Sequence, residues 1–218
     1  MSGLIIKDLF NLNSNKRIYL VLLIMFVFSA FIIDSGVSFM SVYMSILCMM
    51  LCISTFSYDD YSKWNRYALA LPLTRKDIVK SRYVFALILI GLSFIVGSLV
   101  NLIGLFVYDS VITLELIFSI PLATIIVITI IIAILFPAMY KYGAEKGRLV
   151  LLLFSILLGI AGYGINYLFR NITIDVTLLN NGMSFLMNYG VYLIILIALL
   201  SLYISYIKSI HIYQNKEF

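Results

Sequence analysis

Long runs of apolar residues dominate the chain, interrupted by short polar stretches. The runs lie at 18–34, 37–57, 83–107, 116–136, 149–169 and 189–207. A helix needs about 20 predominantly apolar residues to cross the hydrocarbon core. The first run is short, but Lys16 and Arg17 precede it and long basic side chains can reach back to the interface. That run ends at Asp34-Ser35-Gly36 without a small-residue cleavage pattern, so it reads as an uncleaved span rather than a signal peptide. No run alternates with period two, which argues against a membrane β-barrel. The pattern predicts an all-α membrane protein of six transmembrane helices in a single domain, 1–218.

The polar stretches predict two further elements. In residues 59–71, Trp64, Tyr67, Ala68 and Leu71 recur at helical spacing, with Lys63 and Arg66 off that face. Asp59 and Asp60 fall where a helix N-terminus favours negative charge. Pro72 should stop this helix. Thr74 followed by Asp77 resembles a capping box for the next one. Two readings fit the segment: an interfacial helix with Trp64 in the headgroups, or a docking helix for a cytoplasmic partner. Residues 1–16 form a second candidate. Leu4, Ile5, Leu9 and Leu12 can share a face, with Lys7, Asn11 and Ser14 elsewhere, as in a short amphipathic helix on the membrane surface.

Composition agrees with lipid as the solvent. The chain is 63% hydrophobic and 11% charged, against about 25% charged in soluble domains. The net charge of +5 reports orientation first. Fourteen of the fifteen lysines and arginines fall in the N-terminal segment, the second-to-third and fourth-to-fifth connections, and the tail. Arg170 alone falls on the other side. Basic loops mark the cytoplasmic face, so both termini should be cytoplasmic and the span count even. Of the connections on the far side, 170–188 reads as the longest loop, and part of it could re-enter the membrane.

Chemistry-bearing residues are few. Ser93, Gly97 and Asn101 recur every fourth residue in the third run, and Ser155 and Gly159 do so in the fifth. Small residues at this spacing let helices approach closely, with contact to a transported molecule as the other reading. Cys48 and Cys52 share a helix face without a zinc or redox spacing. His211 is the only histidine, so neither a zinc protease nor a histidine triad fits. No phosphate-binding loop occurs, since Gly143–Arg148 lacks the required spacing. The runs carry no internal acids of the kind ion-driven transporters use as relays. Composition therefore points to a chain without catalytic, cofactor or metal sites, driven from outside.

The stretch D-D-Y-S-K-W-N-R-Y-A-L-A-L-P-L-T-R-K-D-I-V-K-S-R-Y, together with Phe136-Pro137 and the six-run layout, resembles the permease subunits of ABC-2 type exporters. Among these it is similar to the small bacterial permeases of phenol-soluble-modulin exporters. The resemblance implies a homodimeric permease of the bacterial cytoplasmic membrane, paired with a separate ATPase subunit that binds ATP and magnesium. It implies that 59–71 is the coupling helix, with Asp59, Asp60, Lys63, Trp64, Arg66 and Tyr67 docking the ATPase. It also implies a cavity lined by the second and fifth spans, through which a hydrophobic or amphipathic substrate, a peptide first of all, is exported. A non-transporting membrane partner, such as an immunity protein or a sensor anchor, shares this topology and stands as the alternative.

Overall fold

The computed structural model describes residues 2–14, 16–17, 20–25, 36–68, 70–107, 114–171 and 176–216. Among the described residues the chain is helical and contains no strand. The elements are α1 (Ser2–Ser14), α2 (Gly36–Tyr61), α3 (Trp64–Ala68), α4 (Arg75–Val107), α5 (Leu114–Tyr142), α6 (Ala144–Asn171) and α7 (Val176–Gln214). Five of them, α2, α4, α5, α6 and α7, are long and apolar enough to cross a membrane. The expected first span, 18–34, falls largely outside the described residues, although residues 20–25 are helical.

The spans form a bundle in which α4 packs on α2, and α5 touches α2, α4, α6 and α7. Burial is uneven. In α4 44% of the spanning window is buried within the chain, whereas in α6 only 6% is. Thus α4 belongs to the core, and α6 lies at the edge with most of its surface open.

Packing concentrates at one end of the bundle, the end that carries α1, α3 and the basic connections. There Phe56, Tyr83, Phe136, Tyr140 and Tyr213 are buried together. The Phe56 and Phe136 rings are 5.1 Å apart, as are those of Tyr83 and Phe136, and Tyr140 and Tyr213 meet edge-on at 5.4 Å. Lipid tails are as apolar as leucine, so membrane helices associate through packing and polar contacts rather than hydrophobic drive. Edge-on aromatic pairs supply such contacts. The Tyr83 hydroxyl adds another, lying 2.6 Å from Ser205 Oγ and 2.8 Å from Ser209 Oγ, which joins α4 to α7. Farther along α4, a Cβ on Gly97 would sit 3.1 Å from Ser41 Cβ, so α2 and α4 touch almost backbone to backbone there.

Several boundaries differ from the sequence expectation. The run expected at 116–136 extends at both ends into α5, so both Pro121 and Pro137 lie inside the helix. Neighbouring helices and hydroxyl groups tolerate such interruptions in membrane helices, and Thr124 Oγ1 donates to the Pro121 carbonyl at 2.8 Å. The loop expected at 170–188 is largely helical, because α6 runs to Asn171 and α7 starts at Val176. Its Asn, Thr and Gly residues resemble a loop in composition, but none of them bars a helix. The start of α4 does follow its local signal. Thr74 Oγ1 donates to Asp77 Oδ2 at 2.6 Å, and the Asp77 amide donates back to Thr74 Oγ1 at 3.2 Å.

Candidate functional site

The segment expected as one helix over 59–71 is divided. Asp59 and Asp60 end α2, which continues to Tyr61, and a separate five-residue helix, α3, follows. Lys63 breaks the run, with φ of 51°. A left-handed residue ends a helix by turning its last carbonyls toward following amides. Here the Lys63 amide donates to the Asp60 carbonyl at 3.3 Å, and the Arg66 amide to the Lys63 carbonyl at 3.1 Å. The expected apolar face is divided too. Ala68 is fully buried and Trp64 packs against the core, while Tyr67 is 67% exposed. Leu71 is exposed as well. α3 ends at Ala68, ahead of Pro72.

Asp59 points inward rather than toward a partner. Arg82, from α4, donates to its carboxylate through Nη2 and to the Thr55 carbonyl at 3.3 Å. Lys7 Nζ, from α1, donates to Asp59 Oδ1 at 2.7 Å. Asp8 completes the cluster, 3.0 Å from Arg82 Nη1 and 3.2 Å from Lys7 Nζ. Burial pushes the Asp8 carboxyl above its ordinary value, opposed by the positive charges of Arg82 and Lys7. Two cations thus face two anions, and α1, α2 and α4 are held at one point. Such a buried network fixes geometry more than it adds net stability. Lys7 also sits 4.4 Å over the Trp64 ring, which links α3 to the same point.

Asp60 has a different task. Its Oδ2 accepts from the Ala144 amide at 2.6 Å, capping the first turn of α6. Gly143 next to it has φ of 84°, and a Cβ there would lie 3.2 Å from the same oxygen. The chain end joins this layer. Arg75 Nη1 donates to the carbonyls of Tyr213, Gln214 and Lys216. The Tyr213 hydroxyl donates to Asn65 Oδ1 at 3.1 Å, and Lys216 Nζ to the Tyr140 carbonyl at 2.8 Å. α3 is therefore braced against α1 and the C-terminus of α7, with Lys63, Arg66 and Tyr67 turned outward.

The remaining candidates separate by environment. Ser93 is buried and bonds within its own helix to the Ile90 carbonyl. Gly97 lies at the α2–α4 contact. Asn101 is fully buried, and its Nδ2 donates to the Ile117 carbonyl at 3.4 Å, joining α4 to α5. Ser155 is exposed and donates to the Leu152 carbonyl of its own helix, and Gly159 has open space where a Cβ would stand. The first three pack the bundle; the last two lie on the open face of α6. Cys48 and Cys52 are free thiols. Among the described residues no group of His, Cys, Asp or Glu is arranged to hold a metal ion.

A bundle of apolar spans braced by one basic, partly helical layer has a match along nearly its whole length. The model of the ABC-2 family transporter protein covers residues 3–214. The chain belongs to the ABC-2 transporter family. It is a membrane-embedded permease subunit of an ABC transporter, a family whose members work with an ABC ATPase. No curated protein and no solved structure matches the chain.

The sequence reading of this ABC-2 permease missed Asp8 and Arg82 as a functional pair. Asp8 carried no reading of its own, and Arg82 was only one of the basic residues counted for orientation. One signal was available: Arg82 stands beside the apolar run that opens at Tyr83, where an unpaired cation would be costly.

Proposed function

We propose that this permease forms a homodimer, receives its driving force from a separate ATPase subunit through the segment preceding Pro72, and exports a hydrophobic or amphipathic substrate, a peptide first of all. The observation that carries the reading is the position of α3. Its outer side offers Arg66 and Tyr67, with Lys63 exposed just before it, while its inner side, through Trp64 and Ala68, rests on the core and the ion cluster. A partner that pushes on α3 pushes on α1, α2 and α4 together. Aromatic and Arg side chains are the usual anchors of protein interfaces. Asp59 and Asp60 act in this scheme as positioning residues, one holding the cluster and one capping α6. The open face of α6, with Ser155 and Gly159, is where the second copy and the substrate path would lie. Its apolar surface suits an amphipathic cargo taken from the bilayer. ATP and magnesium belong to the ATPase, bound outside this chain.

The test is reconstitution with the candidate ATPase. Peptide-stimulated hydrolysis should require the permease and should fall when Trp64→Ala and Arg66→Glu are combined. Hydrolysis that ignores both the permease and the peptide would remove the proposal.

A further inference from the structure

Tyr213, near the end of α7, is 1% exposed and touches three other elements. Its hydroxyl donates to Asn65 Oδ1 of α3 at 3.1 Å. Its ring meets Tyr140 of α5 edge-on at 5.4 Å, and Tyr140 in turn lies 5.1 Å from Phe56 of α2. Its carbonyl accepts from Arg75 Nη1, at the opening of α4, at 3.2 Å. α3 is five residues long, so Asn65 moves with its neighbours Arg66 and Tyr67, both exposed.

The two contacts that brace α3 differ in chemistry. One is with the ion cluster, reached through Lys7 over Trp64, and the cluster's members all come from α1, α2 and α4. A buried ion pair strands a charge when it parts, so that contact should hold throughout a cycle. The other is a hydrogen bond between two uncharged groups, which exchanges with water at modest net cost. Asn65 is half-buried, so water can satisfy its oxygen when the contact opens. α7 packs along α5, and α5 along α6. A pull on Tyr213 therefore reaches the spans that hold no member of the cluster.

We infer that Tyr213 is a positioning residue for the transport cycle: its hydrogen bond to Asn65 carries movement of α3 into α7 and, through the Tyr140 ring, into α5. The ion cluster carries the same movement into α1, α2 and α4. The permease receives one input and passes it to two groups of spans by separate contacts, one permanent and one releasable. When the hydrogen bond opens, α3 shifts while α7 stays. This role rests on α3 being the docking element proposed above.

The test uses the full-length permease assembled with its ATPase in proteoliposomes. Cys48→Ala and Cys52→Ala remove the native thiols. An environment-sensitive fluorophore is placed on Ile207→Cys in α7 or on Met50→Cys in α2, both half exposed. The emission change on adding ATP is read at each label, and capture of the ATPase is measured in parallel. In the otherwise unaltered chain both labels should respond. Tyr213→Phe keeps the ring on Tyr140 and deletes only the hydroxyl. It should leave capture and the α2 response intact and cut the α7 response at least threefold. Asn65→Ala should do the same, and the two together no more than either alone. Asn65→Asp, which keeps an acceptor oxygen, should preserve the α7 response. An α7 response at the unaltered level in Tyr213→Phe, or an equal loss at both labels, would overturn the inference. Failure of the unaltered chain to capture the ATPase would instead remove the docking of α3 on which it stands. Should Tyr213→Phe not assemble, Asn65→Ala decides on the same two labels.

Discussion

Arg82 Nη1 lies 3.0 Å from the Asp8 carboxylate, so α1 is fastened directly to the opening of α4. Asp59 receives the same guanidinium from the other side. The side chains of Arg82, Asp8 and Asp59 are 5%, 2% and 11% exposed, which makes the contact internal. Removing one member of a buried ion network costs about 3–5 kcal/mol, because it strands the opposite charge. Arg82→Met should lower stability by that order in reversible unfolding in detergent. Combining it with Asp8→Asn and Asp59→Asn should recover a substantial part of the loss. A single substitution that leaves stability unchanged would mean that the network is not buried in the membrane-embedded protein.

The close contact of α2 and α4 gives a second expectation. A side chain larger than hydrogen at residue 97 must displace Ser41, since its Cβ would stand 3.1 Å from Ser41 Cβ. Overpacking of this kind costs about 1–3 kcal/mol. Gly97→Leu should destabilise the bundle by that order. Gly159→Leu, which meets open space, should leave the stability of the isolated chain unchanged.

The open face of α6 supplies a third. If a second copy packs there, Gly159→Cys in a chain carrying Cys48→Ala and Cys52→Ala should form a disulfide-linked dimer in membranes under mild oxidation. Ser93→Cys in the same background, buried within the bundle, should not. Linkage at Ser93 rather than at Gly159 would exclude α6 as the interface.

A fourth concerns the chain end. Arg75 grips the carbonyls of Tyr213 and Lys216 at 3.2 and 3.1 Å, with Gln214 between them. Arg75→Ala should release the last residues and make their removal by carboxypeptidase severalfold faster. Cleavage at the wild-type rate would show that the tail is held by other contacts.

These expectations divide along the range over which a sequence signals its contacts. The five described spans were legible because each is a run of adjacent apolar residues. The start of α4 was legible because Thr74 and Asp77 complete their bonds within one turn. The break at Lys63 was not, since neither glycine nor asparagine marks it and the helical spacing of Trp64, Tyr67 and Ala68 continues the pattern from Asp59. The roles of Asp59 and Asp60 were hidden for another reason. Their partners are Lys7 and Arg82 for one and Ala144 for the other, and no local pattern announces pairing at such separations. In the candidate site, Lys63, Arg66 and Tyr67 are exposed, while the apolar face expected from Trp64, Tyr67, Ala68 and Leu71 is divided, with only Trp64 and Ala68 turned to the core.

The central claim is that force enters this permease through α3. Co-purification with the partner ATPase, followed by its hydrolysis rate, tests it most directly. Trp64→Ala with Arg66→Glu should reduce capture and permease-dependent hydrolysis at least tenfold while the bundle still unfolds cooperatively. Capture and hydrolysis at wild-type levels in that variant would contradict the account.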